Sequence, residues 1–237
     1  MDLLWNGIQQ GISLLLGGDP EVLGITLLSL EISGSATMAS LLLGIPVGMF
    51  LALNRFPGRK LAVTLVNTGM GLPPVVVGLF ISIFLWRSGP LGSLDLLYTP
   101  AAIFIAQVVI AAPIVTGLTL AAIQQINPRF QLQLTALGAS HFQVLVELCR
   151  ETRLPLLAGV MAGFGGVISE VGASMMVGGN LKDSTRVLTT ATVLETSKGN
   201  FVVAIALSVI LLFLAFAVNL ALTLIQQKRQ RSAWPPR

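Results

Sequence analysis

Charge is scarce in this sequence: Asp, Glu, Lys and Arg together make up 10% of it, and long stretches contain none. Cysteine and histidine are scarcer still, at one each. A single cysteine, Cys149, excludes an intramolecular disulfide, and its place in a segment read below as cytoplasmic agrees with a reduced thiol. His141 beside it falls short of the several ligands a metal site needs, so neither metal nor cofactor is expected. The phosphate-binding pattern G-x-x-x-x-G-K-[ST] is missing, as are a nucleophile elbow and a paired-carboxylate cluster. The chain reads as a non-enzyme without an energy source of its own. Its basic residues do not gather on one soluble face, which argues against a nucleic-acid partner.

What is abundant is apolar sequence, 54% of all residues. Crossing about 30 Å of hydrocarbon takes roughly 20 helical residues, and the uncharged runs 32–54, 61–86, 96–128 and 199–227 all exceed that. A fifth run, 154–178, is long enough but carries Glu170. The expected architecture is an all-α polytopic membrane protein. It has five transmembrane helices, near 22–54, 61–86, 97–126, 154–178 and 200–226, in one domain over 1–227.

Five spans put the termini on opposite sides, and Lys/Arg counting gives the direction. With the C-terminus inside, the cytoplasmic segments hold ten cations: Arg55, Arg59, Lys60, Arg129, Arg150, Arg153, Lys228, Arg229, Arg231 and Arg237. The external segments hold four: Arg87, Lys182, Arg186 and Lys198. Residues 1–21 contain no Lys or Arg, which suits an external N-terminus and not a signal peptide. Leu3, Leu4, Trp5, Ile8, Ile12, Leu15 and Leu16 could form the apolar stripe of an interfacial helix, an anchor or a docking lip. Residues 228–237 form a basic cytoplasmic tail.

The cytoplasmic segment 129–153, RFQLQLTALGASHFQVLVELCRETR, is far longer than a turn between neighbouring helices needs. It holds two helix-like stretches around Gly138-Ala139, with apolar positions from Leu132 to Leu148. Asn127-Pro128 ends the preceding span. Such a segment is either a connector resting on the membrane surface or a helix offered to a groove on a cytoplasmic partner.

The run ALGASHFQVLVELCRETRLPLL resembles the coupling segment of ABC-importer permeases, in which Glu-Ala-Ala is followed by Gly and later by Leu-Pro. Gly138, Ala139, Leu154 and Pro155 match. Leu132, Gln133 and Leu134 stand where Glu-Ala-Ala would, and the Gly-to-Pro interval is about one helical turn longer than in molybdate and sulfate permeases. GLPPVVVGL at 71–79 and RSGPLG at 87–92 are similar to oxyanion permeases. SEVGASMMVGGNLKDSTRVLTTATVLETSKGNF at 169–201 resembles the tungstate members, while molybdate permeases carry Gly-Glu-Phe-Gly-Ala there. The resemblance implies an ABC type I importer permease fold in the inner (plasma) membrane, paired as a homodimer. It also implies two cytoplasmic ATP-binding subunits and an extracytoplasmic binding protein for tungstate. On this reading Gly138, Ala139, Glu147, Glu151 and Pro155 couple to the ATPase.

Candidates for the translocation path follow from chemistry that lipid tolerates poorly. Pro73 and Pro74 interrupt a span, and the carbonyls they free must face protein or a water-filled cavity; the kink serves either a path or packing. Glu170 is an intramembrane carboxyl, which is costly and functional or tied to a partner. It would repel a dianion, so it either shapes a weak site or ties two helices together. In the loop 180–200, Lys182, Arg186 and Lys198 with Ser184, Thr185, Thr189 and Thr190 suit an oxyanion entrance, docking of a binding protein, or plain solvated charge. Rival functions are a molybdate or sulfate permease of the same architecture and an ATP-independent secondary transporter. No inverted repeat supports the latter.

Overall fold

In hydrocarbon every backbone N–H and C=O must be paired within the segment, so apolar runs of this length have to be helical. A computed structural model describes residues 2–233, with the side chains of 15, 16 and 228–233 excepted. The basic tail and two leucines of the N-terminal stripe therefore lie outside the described side chains. Among the described residues there is no strand. The order is α1 (Asp2–Gly17), α2 (Pro20–Leu53), α3 (Arg59–Met70), α4 (Pro74–Leu85), α5 (Pro100–Gln124) and α6 (Pro128–Ala136). It continues with α7 (His141–Glu151), α8 (Arg153–Ile168), α9 (Gly172–Gly178), α10 (Leu188–Ser197) and α11 (Phe201–Ala233).

Three of these helices start by one device. Asp19, Thr99 and Asn127 each cap the helix with a side-chain oxygen, and proline follows at the first helical position. The missing proline N–H falls where no partner is needed.

Among the described residues, α2, α5 and α11 are both long and apolar enough to cross a bilayer unbroken, and two bent pairs bring the possible spans to five. The run 61–86 is α3 and α4, meeting at 105°, and 154–178 is α8 and α9, meeting at 57°. The first expectation, a kinked span, is thus exceeded by a sharp corner. Leu72 and Pro73 each precede a proline and are pushed out of the helical region, and Pro74 is pre-set to start a new helix. In the loop 180–200, expected to be irregular, Leu188–Ser197 is helical. Leu188 and Ala191 are buried against Leu207 and Ile210 of α11, so tertiary burial decides it.

The centre is the α2–α5 pair. A Cβ at Gly44 would lie 2.8 Å from Val115, and one at Gly48 would lie 2.7 Å from the backbone of Thr116, so glycine is what lets the two spans touch. Around α5 pack α3, α4, α8 and α9. The N-terminal stretch is helical, and it packs on α11 through its glycines. Gly7 and Gly11 rest on Ile205 and Ala206 of α11, while Leu3, Leu4 and Trp5 are exposed.

Candidate functional site

The two broken spans meet each other. A Cβ at Gly78 of α4 would sit 2.6 Å from Ala173 Cα, and one at Gly172 of α9 would sit 2.5 Å from Val75 Cγ2. Glu170 occupies the break before α9 and is 6% exposed. Its carboxylate accepts from the backbone N–H of Ala173 at 2.8 Å, the N–H of Ser174 at 3.0 Å and the Ser174 hydroxyl at 3.1 Å. This satisfies N–H groups that the start of a helix leaves unpaired, and the negative charge suits the positive end of the helix dipole. Its own carbonyl accepts from the Thr189 hydroxyl at 2.9 Å, tying the break to α10. The carboxylate is thus spent capping α9 itself, and the bond to another helix is made by the Glu170 backbone carbonyl.

A second clamp comes from α5. Gln107 is 3% exposed, and its amide donates to the Val167 carbonyl at 3.2 Å, which also accepts from the Glu170 N–H at 3.2 Å. Pro73 lies exposed on the corner of α3 and α4, with Pro74 half-buried behind it. The prolines and Glu170 are thus brought into one neighbourhood through the α4–α9 packing.

Lys182 and Arg186 gather elsewhere, at the start of α2. Glu21 accepts from Lys182 at 2.8 Å and from Arg186 at 3.5 Å, beside a cavity of about 300 Å³. The bond to Glu21 raises the Lys182 pKa above the ordinary lysine value. The cations are therefore not a free pair, because one carboxylate offsets half their charge. Of the hydroxyls expected at an entrance, Ser184 is exposed and lines this cavity, while Thr185, Thr189 and Thr190 are buried and spent internally. Thr185 donates to the Gly178 carbonyl, and Thr190 accepts from the Val187 N–H. Lys198 pairs with Glu195 at 2.7 Å, and Lys198 and Asn200 hold that carboxyl below the usual carboxylate range.

The segment 129–153 is a helix, a left-handed turn and a second helix. Gly138 has φ 84°, its N–H donates to the Thr135 carbonyl, and the Ala139 N–H donates to the Leu134 carbonyl. That double bond is the Schellman ending, which needs a left-handed residue and so favours glycine. Ser140 then opens α7 in a reciprocal box with Gln143, at 2.7 and 3.3 Å. Leu148 and Val144 bury against Met49 and Ile123, and Cys149 packs beside Met49, its thiol pKa pushed up by burial. Leu137 and Phe142 flank the turn and remain 85% and 74% exposed. The apolar positions of this segment therefore split: one set closes the fold and the other faces outward. Glu147 pairs with Arg150 at 2.6 Å, while Glu151 and Pro155 are exposed. Pro155 sits in the first turn of α8, where proline is tolerated.

Residues 44–231 match the family described as binding-protein-dependent transport system inner membrane component. The chain belongs to that family. This permease is 37% identical over 228 residues to the tungstate uptake system permease protein TupB of Peptoclostridium acidaminophilum, across 96% of this chain and 100% of that one. TupB of Campylobacter jejuni is 33% identical, across 92% of both. The molybdenum transport system permease ModB of Escherichia coli K12 is 26% identical, across 83% of the permease and 93% of ModB. The permease subunit fold is shared with the methionine ABC transporter MetNI, solved in inward-facing form. The TM-score there is 0.68 at 19% identity, across 88% of this chain and 95% of that one.

Sequence reasoning missed Glu21 and Gln107. Gln107 was visible as a polar amide inside an uncharged run, and Glu21 only as one of the few acids in the N-terminal stretch. The spacing of Gly7 and Gly11, a small-x-x-x-small pattern, was the readable sign that α1 packs on a span.

Proposed function

We propose that the chain is the membrane-spanning subunit of an ATP-driven importer of tungstate. It works as a pair of copies with two cytoplasmic ATP-binding subunits and an external binding protein. The similarity to two tungstate uptake permeases, one along its whole length, carries the substrate. The N-terminus is external and the C-terminus internal, as the ten-to-four distribution of cations favours.

In this reading the turn at Gly138-Ala139 presents Leu137 and Phe142 to an ATP-binding subunit, with Glu147, Glu151 and Pro155 on the same segment transmitting its movement into α8. Movement reaching α8 arrives at the break held by Glu170. The Glu170 tie and the Pro73-Pro74 corner then form the joint on which the path opens. Lys182 and Arg186, partly offset by Glu21, attract the dianion weakly, as an importer fed by a tight binding protein requires. A second reading, molybdate as substrate, has the ModB similarity behind it.

The test is uptake into proteoliposomes that contain permease and ATPase, with loaded binding protein outside and ATP inside. Tungstate should accumulate only with ATP, and molybdate less well. Accumulation without ATP would exclude the ABC mechanism, and equal rates for tungstate and sulfate with matched binding proteins would show that this subunit does not discriminate. Leu137→Glu with Phe142→Glu should leave the permease folded and abolish ATP-dependent uptake; normal uptake would place the ATPase contact elsewhere.

A further inference from the structure

A cavity of about 1110 Å³ lies between the C-terminal end of α2 and α7. That is at or above the upper end of the range for small-molecule pockets, about 300–1,000 Å³. Its walls are apolar, from Ile45, Met49 and Leu53 on α2 to Leu145 and Val146 on α7. Its rim is polar and basic: Asn54, Gln131 and His141 with Arg150 and Arg153. No acidic side chain lines it. Arg150 has Glu147 as a neighbour, and Arg153 forms no ion pair among the described residues.

Two observations say what belongs there. The first is continuity with the lipid-facing surface. Leu43, Val47 and Phe50 lie on one face of α2, all exposed, and that face leads to Phe50 in the groove wall. Phe142 of α7 also lines the groove, so the ATP-binding subunit proposed above reaches its α7 side, whereas on the α2 side an acyl chain is already beside it. The second is charge. Two arginines on either side of the Thr152 break between α7 and α8 line an apolar mouth, Arg150 shared with Glu147 at 2.6 Å and Arg153 outside any ion pair among the described residues. They match a phosphate attached to a hydrocarbon chain, and basic pockets between helices at the cytoplasmic face suit anionic headgroups.

We propose that this groove binds an anionic phospholipid, with an acyl chain along α2 and the phosphate between Arg150 and Arg153. Bound there, the lipid braces α7 against α2 and so sets the position of the coupling segment. Placing the groove in the cytoplasmic leaflet rests on the orientation proposed above. Lipid binding in detergent is read without it, so a reversed topology would change the leaflet and leave the binding result standing.

The experiment uses the full chain, delipidated in a neutral detergent and titrated with dioleoyl phosphatidylglycerol or dioleoyl phosphatidylcholine, with bound lipid counted by native mass spectrometry. One phosphatidylglycerol per chain should bind with a Kd lower than that of phosphatidylcholine by about tenfold. In the Arg150→Gln, Arg153→Gln double variant that preference should fall to within about twofold, at an unchanged melting temperature. Val146→Trp, which fills the groove, should weaken both lipids, and inorganic phosphate should fail to displace either. Equal binding of the two lipids by the wild type, or a preference that survives the double variant, overturns the proposal. So does a lipid expelled by the ATP-binding subunit together with loss of that subunit's binding in Val146→Trp, which would make the groove a protein-docking site.

Discussion

At the break before α9, glycine is present because a side chain would not fit; at the turn between α6 and α7, it is present because the backbone is left-handed. A Cβ at Gly78 would lie 2.6 Å from Ala173 Cα, whereas one at Gly138 would meet nothing within 4 Å. The residues around the break are used up inside the chain. Glu170 accepts from Ala173 and Ser174, Thr189 donates to the Glu170 carbonyl and Gln107 donates to the Val167 carbonyl, with Gln107 Oε1 the one buried polar atom of this group left without a partner. Around the turn the reverse holds: the Schellman bonds and the Ser140 box close the backbone, and Leu137 and Phe142 are left facing out. On the proposed reading the break is a joint, which needs internal closure to move as a unit, and the turn is a coupling surface, which needs a rigid backbone with its side chains unspent.

The sharpest way to break this contrast is Gly78→Leu. Overpacking of a tight contact costs about 1–3 kcal/mol or more, so a large drop in melting temperature and in folded yield is expected. An unchanged melt would mean that α4 and α9 are not in contact. Next is Glu170→Ala, which strands the buried N–H groups of Ala173 and Ser174 at about 1–3 kcal/mol each. Glu170→Gln keeps one acceptor and should lose less in the same melt. Equal losses for the two would show that charge, and not the cap, holds the break.

Gly138→Ala should cost about 1–2 kcal/mol through its φ alone. Gly138→Asn should recover part of that, since asparagine tolerates the left-handed region. If alanine is as harmful at 138 as leucine is at 78, the turn is packed and not open. The smallest effect is expected at the surface. Lys182→Gln should leave the melting temperature unchanged and slow uptake most at low salt, where screening is weak. Because the bond to Glu21 raises the Lys182 pKa, the pair persists below the ordinary lysine range and is lost only as pH rises through the raised value. A salt-independent uptake rate in both proteins would remove Lys182 from the entrance.

Legibility in the sequence followed periodicity and punctuation. Asn127-Pro128 announced the end of a span and Pro73-Pro74 an interruption, and the structure has both; Asp19-Pro20 and Thr99-Pro100 carry the same cap-and-proline device at helix starts that the sequence reading passed over. The size of that interruption was not readable, because a proline pair permits anything from a kink to a corner and the packing of α4 on α9 selects the angle. Threonines 185, 189 and 190 looked like entrance hydroxyls because a loop between spans is by default wet. They are buried because α10 folds back onto α11.

The sequence by itself determined that the chain lives in a membrane, since no water-exposed fold can cover so much apolar surface. It also determined where helices begin and that the left-handed turn falls at Gly138, because caps, prolines and φ preferences act over a few neighbouring residues. Tertiary structure alone decided which partner each polar group meets. The carboxylate of Glu170 closes on α9, Glu21 reaches residues more than 160 positions away, and Gln107 clamps Val167 across 60. In a buried, low-dielectric interior an unpaired polar group is costly, so these groups take the donors and acceptors that the packed helices bring within reach, Gln107 Oε1 alone among those three side chains being left without one; proximity of that kind is a property of the fold and not of the local sequence.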